Sequence, residues 1–102
     1  MDYPTTGTTE YNTINETGVR LSATTSTGIL SARATRLYCR ITNEGAWAYV
    51  SLGGVASKLR GIRLGNYETW VSDRDNIWRG AINGISNTAT SSKIIISEGY
   101  TS

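Results

Sequence analysis

Residues 36–52, RLYCRITNEGAWAYVSL, hold two runs of strict alternation. Leu37, Cys39 and Ile41 share one face of the first run, and Arg36, Tyr38, Arg40 and Thr42 share the other. The second run sets Ala48, Val50 and Leu52 against Trp47 and Tyr49. Successive side chains of an extended backbone point in opposite directions, so a period of two marks a strand buried on one side. Asn43-Glu44-Gly45 is a short Gly-containing connection, and the two runs read as a hairpin. Packing its aliphatic sides inward would gather Tyr38, Arg40, Trp47 and Tyr49 on the opposite face of one sheet. Aromatic and arginine side chains that a core does not need mark a surface that meets something else.

The rest of the chain repeats the strand signal in shorter pieces. Residues 19–23, 28–32, 61–64, 67–71, 77–85 and 93–98 are further candidate strands, separated by Gly, Ser, Thr and Asn. Residues 55–60 fit either a single helical turn or a loop. Gly80 and Gly84 inside a strand-like run suggest a bulge or a close approach of an aromatic ring or backbone. Ile94, Ile95 and Ile96 are apolar on both faces, as in a central or doubly covered strand. Seven or eight short strands without a helical period predict an all-β, mostly antiparallel sandwich or barrel of jelly-roll or other Greek-key type. Residues 1–17 are rich in Thr, Asn, Glu and Tyr, with almost no aliphatic residues. They read as an extended arm, leaving 18–102 as one β domain.

The core of such a domain is thin. Six Leu, ten Ile, four Val and no Phe are spread over 102 residues, near the level at which chains stop folding. High net charge, the other mark of disorder, is absent, since the formal charge is +2. Three Trp and six Tyr supply further apolar area. A folded domain of this kind is expected to lean on partners, and an obligate oligomer would explain the thin core. Ten cations against eight anions leave no basic run beyond Lys58, Arg60 and Arg63. That is a poor basis for nucleic-acid binding, which needs several phosphate contacts at once. No apolar run is long enough for a membrane helix. The first residues have neither the basic nor the apolar region of a signal peptide, so synthesis in the cytoplasm is expected.

Little in the chain points to catalysis. Histidine is absent, which removes the commonest general base and metal ligand. Cys39 is the single cysteine; it reads as a small apolar residue of a strand's inner face and excludes an intrachain disulfide or a multi-cysteine zinc site. Asp73 and Asp75 in the loop DRDN fall short of a calcium loop, and Glu44, Glu68 and Glu98 sit at strand ends or turns without a cleft. Gly53-Gly54 lacks the helix and Lys-Ser/Thr signature of a phosphate loop. No enzyme, cofactor or metal is therefore expected. Trp47, Trp70 and Trp78 could serve as core filler, as interface anchors or as a platform for sugars. Trp and Arg dominate interface hot spots, and the candidate interface residues are Tyr38, Arg40, Trp47, Tyr49, Arg60, Arg63 and Trp70, with Tyr3 and Tyr11 on the arm. The arginines also suit a strand edge that discourages aggregation.

The succession RLYCRITNEG, AYVSLGG, GIRLGNYETW, IWRGAINGIS and KIIISEG resembles a small β domain of tailed-bacteriophage structural proteins. Its members show a strand ending in Ile-x-Asn, a "vYvslG" strand, a "GirL" segment before an aromatic-acidic pair, a "GaI-aI" strand and a closing "vtvtEg". The resemblance spans residues 36–98 and leaves the first thirty or so outside it. It implies a virion component without catalytic residues. The leading expectation is a capsid cement or decoration protein on the outer surface of the phage head. Its partners would be the major capsid protein and copies of itself, as a homotrimer or alternatively a pentameric ring. A head-spike or fibre base, a neck component or a tail-surface component that binds host glycan is the other expectation.

Overall fold

The computed structural model describes residues 13–73, 76–88 and 92–101. Tyr3, Tyr11 and the greater part of the expected arm lie outside them, as does Asp75. The described residues form eight strands and no helix: β1 (Thr13–Arg20), β2 (Thr27–Leu30), β3 (Arg36–Glu44), β4 (Ala48–Leu52), β5 (Ile62–Leu64), β6 (Thr69–Ser72), β7 (Ile82–Ser86) and β8 (Lys93–Tyr100). Two antiparallel sheets result, in the orders β1-β8-β3-β6 and β2-β7-β4-β5.

This order is a jelly roll. The first strand pairs with the last, β2 with β7, β3 with β6 and β4 with β5. The eight strands are thus one long antiparallel ribbon rolled up on itself, closed by β3–β8 and β4–β7 pairing. Residues 55–60 form the loop at the apex of the ribbon, between β4 and β5. Backbone hydrogen bonds group the connections into two ends. Leu21, Ser22, Asn43, Trp47, Glu68, Asn87 and Ser92 link the β1–β2, β3–β4, β5–β6 and β7–β8 connections at one end. Arg33, Gly53, Arg79, Ala81 and the pair Thr35–Thr101 link the others.

The expected 36–52 hairpin does not form. β3 and β4 belong to opposite sheets, and the chain crosses the sandwich between them. Alternation fixes which face of each strand is apolar, and that condition is met equally by strands side by side or face to face. Here Cys39 and Ile41 on β3 and Ala48 and Val50 on β4 are all fully buried and join the same core with Ile82, Ile94 and Ile96. Asn43 holds the crossover. Its buried amide Nδ2 donates to the carbonyls of Ala46, Leu64 and Gly65 at 2.7, 2.9 and 3.1 Å. Truncation to Asn43→Ala would leave these acceptors unmatched and is expected to cost about 1–3 kcal/mol, read as a shift in urea midpoint.

Other boundaries move for identifiable reasons. β1 starts at Thr13, within the segment expected to be an arm, because residues 13–20 pair in unbroken register with β8. A strand needs a neighbour more than it needs aliphatic residues of its own. β7 is shorter than the expected 77–85 run: the Trp78 ring lies against Gly53 and Gly80, where an added Cβ on Gly80 would come within 2.6 Å of it. The close ring approach anticipated for that glycine is therefore present. β8 occupies the central position its isoleucines imply, between β1 and β3.

Candidate interaction surface

β5 is the outermost strand of its sheet and only three residues long. Its flanks carry the only non-glycine residues with positive φ among the described residues, Leu59 at 67° and Tyr67 at 65°. Both side chains are large and largely in solvent, at 83% and 71% exposure. A left-handed backbone costs a non-glycine residue on the order of 1–3 kcal/mol and persists only where the surroundings enforce it. The enforcement is visible at Tyr67. The Tyr67 N–H donates to the Asn43 carbonyl at 2.6 Å, Asn66 Oδ1 accepts from the Gly45 N–H at 3.0 Å, and Glu68 Oε1 accepts from the Gly65 N–H at 2.5 Å. The turn after β5 is thereby fastened to the sheet crossover with the tyrosine ring outward.

On the other side of β5, the 53–61 loop folds back over its own sheet. Asn83 Nδ2 donates to the Gly54 carbonyl at 2.6 Å, and the Ala56 N–H donates to Ser26 Oγ at 2.9 Å. Ala56 packs on Tyr49 and Ile85. Tyr49, expected on the open face, therefore lies beneath this flap at 5% exposure. Alternation placed it correctly on the outer side of the sheet; the flap covers that side. The flap leaves Val55 and Leu59 outside, at 80% and 83% exposure. Gly61 closes it at φ 79°, and an added Cβ would run into the Val50 carbonyl oxygen. Gly61→Ala must therefore displace the flap. It is expected to raise Tyr49 exposure, read as faster native-state hydrogen exchange of the Ala56 amide that holds the flap to Ser26.

Trp47 and Arg63 meet on this same side. The guanidinium sits 4.1 Å from the indole centroid, a cation–π contact that also fixes the arginine. Trp47 is nearly half exposed. Exposed Arg60 follows Leu59 directly. The structure thus places Trp47, Arg60 and Arg63 around β5 and adds Leu59 and Tyr67, which sequence reasoning passed over. Their signal is conformational, a positive φ that alternation does not encode.

The other candidates lie elsewhere. Tyr38 and Arg40 are on the outer face of the opposite sheet, where Arg40 is flanked by Ser97 and Val71 in register. They do not share a surface with Trp47, because β3 and β4 are not neighbours. Trp70 pairs with Ile41 on the inner face and packs half-buried against the core. Trp78 is likewise structural, its indole N–H donating to the Ala81 carbonyl at 3.0 Å.

A buried charge cluster occupies the opposite end of the sandwich. A β-bulge in β3 between Arg36 and Tyr38 reverses the expected alternation. Arg36, expected to face outward, is fully buried. Its Nε donates to Glu98 Oε2 at 2.9 Å, and its terminal nitrogens donate to the carbonyls of Trp78, Gly80 and Ser31. Arg33 Nε donates to the same Glu98 oxygen at 3.0 Å. Glu98, taken from the sequence for a strand-end carboxylate, has the parity of Ile94 and Ile96 on β8, and that parity was the available sign that it points inward.

Cys39 lies beside this cluster. Burial pushes its thiol above the ordinary value of 9.0, opposed by the Arg36 charge. A thiol whose folded value is raised contributes its stability in full below the unfolded value and loses it as pH climbs through the folded one. The unfolding midpoint is therefore expected to fall as pH rises past about 9, and a Cys39→Ala variant should lack that part of the slope.

Among the described residues no group of three or more Cys, Asp and Glu side chains is placed to hold a metal ion, and no helix is long and apolar enough to cross a membrane. No family model, curated protein or solved structure matches this chain.

Proposed function

We propose that this protein is a non-enzymatic structural module that works by adhesion through the β5 side of its jelly roll. The observation that carries this reading is the pair Leu59 and Tyr67, two large apolar side chains held in solvent by costly backbone conformations at either end of an edge strand. Strain of this kind is kept where it serves a contact. Trp47, Arg60 and Arg63 between them add the residue types that anchor interfaces. The jelly roll itself is shared by capsid and lectin domains among others and does not select a function.

The motif resemblance over 36–98 supports the more specific form of the proposal, a cement or decoration protein of a tailed-phage head. It would contact the major capsid protein and further copies of itself, as a trimer or a pentameric ring. Spike base, neck and tail surface are the alternative placements. The test is co-sedimentation of the purified chain with empty heads and, separately, with tails of the phage that encodes it. Saturable retention on heads, weakened at least tenfold by Leu59→Ser with Tyr67→Ser, is expected. Retention on tails alone would move the protein to the tail, and retention on neither would overturn the virion reading.

A glycan-binding reading draws on one observation, the half-exposed indole of Trp47 beside Arg63. One ring face is covered by the guanidinium, so a sugar would stack on the other. Saturable quenching of Trp47 emission by host polysaccharide, absent in Trp47→Leu, is its expected result.

A further inference from the structure

Adhesion through β5 calls for a second surface. A patch that meets its own copy joins two chains and stops there. Three or five identical chains close a ring only through two different patches, each engaging the other on the next copy. The β5 side is one of them. The sheet orders define the flank that can carry the other, because β5 and β6 end the two sheets on one side and β1 and β2 on the opposite side.

The β1 flank has the build of a surface that is covered in use. β1 runs eight residues in unbroken register with β8. The other sheet edges are short: four residues in β2, with a register shift, three in β5 and four in β6. A long edge strand offers a row of unpaired N–H and C=O groups, which proteins blunt with proline, lysine or a bulge, or else cover. β1 has no proline, lysine or bulge. Its residues 14–18 are all exposed, although Asn15 and Thr17 share the parity of buried Glu98 and Ile96. Ile14, at 63%, is the most exposed large apolar side chain outside the β5 side among the described residues. Glu16 follows on the same face, where its Oε2 accepts from Ser97 Oγ at 3.1 Å, a bond that orients the carboxylate.

The occupant follows from charge and apolar character. The β5 side presents Leu59 and Tyr67 in solvent and the exposed cations Lys58, Arg60 and Arg63. Its carboxylate, Glu68, is engaged by the Gly65 N–H. Ile14 beside Glu16 is the complement, an apolar side chain next to an acid, and the cation of the strand, Arg20, stands at its far end. We infer that the β1 flank receives the β5 side of a neighbouring copy, Ile14 against Leu59 and Tyr67 and Glu16 against Arg60, so that copies join head to tail. This rests on adhesion at β5 and names the surface to which that side adheres.

The test mixes two variants of the full chain and reads their mass by sedimentation equilibrium. Ile14→Thr with Glu16→Lys spoils the β1 flank while keeping a β-branched residue on the strand, and Leu59→Ser with Tyr67→Ser spoils the β5 side. Each variant alone is expected to sediment as one chain. Their equimolar mixture is expected to form a two-chain species, since each contributes the patch that the other lacks. A mixture that stays at one chain would overturn the inference. So would an Ile14→Thr/Glu16→Lys variant that keeps the wild-type mass, and in that case the β5 contact itself still stands. A wild type of one chain would remove both. Amide exchange reads the same contact with β1 unaltered. Residues 14–18 are expected to exchange at least tenfold more slowly in wild type than in Leu59→Ser/Tyr67→Ser, and equal rates would overturn the inference.

Discussion

Glu98→Ala is expected to destabilise the folded chain by about 3–5 kcal/mol, the usual cost of stranding one partner of a buried ion pair. Arg36 would remain with no solvent access and no counter-charge, since its other partners are neutral carbonyls. Arg33 would lose its anchor as well. The loss matters because the cluster joins four parts of the roll: β8 through Glu98, the start of β3 through Arg36, the β2–β3 connection through Ser31 and the β6–β7 connection through Trp78 and Gly80. Urea unfolding at constant pH measures the effect. A double replacement, Glu98→Leu with Arg36→Met, removes both charges together and is expected to recover most of the loss. A double variant as unstable as the single one would mean that geometry at the bulge, rather than charge, makes this site indispensable.

Ile41→Ala should cost about 2–5 kcal/mol, with Ile41→Val at roughly 0.5–1.5. Ile41 is fully buried at the centre of the inner face of its sheet, with Ile96 beside it on β8 and Trp70 on β6. In a chain with ten Ile, six Leu and no Phe, few side chains can relax into the cavity. Leu59→Ala is the informative contrast. It removes the same class of side chain from a position 83% exposed, and its effect on the stability of the isolated chain should stay within about 0.5 kcal/mol. The Leu59 side chain would then be shown to add little to the fold, leaving its work to a partner.

Strand content was legible in the alternation of the chain, and so was the inward side of Cys39, Ile41, Ala48 and Val50. Pairing was not. Asn43-Glu44-Gly45 has the composition of a hairpin turn, yet what decides the crossover is the Asn43 side chain reaching carbonyls at Leu64 and Gly65, far away in sequence. The bulge beyond Arg36 was equally silent, because one extra residue inverts the face of everything before it. Of the candidate surface, Trp47, Arg60 and Arg63 could be named from residue type alone. Tyr49 has the same credentials and is hidden, because the flap above it is held by Ser26 and Asn83, contacts that no local pattern announces. Leu59 and Tyr67 needed backbone angles to be noticed at all.

Adhesion of the proposed kind requires the β5 side to be a contact between molecules. Sedimentation equilibrium of the intact protein, over a hundredfold range of concentration, addresses this most directly when wild type is compared with a Leu59→Ser/Tyr67→Ser variant that folds equally well. A wild-type mass of three or five chains, falling to one in the variant, is the predicted result. A single-chain mass for both proteins at every concentration would contradict it.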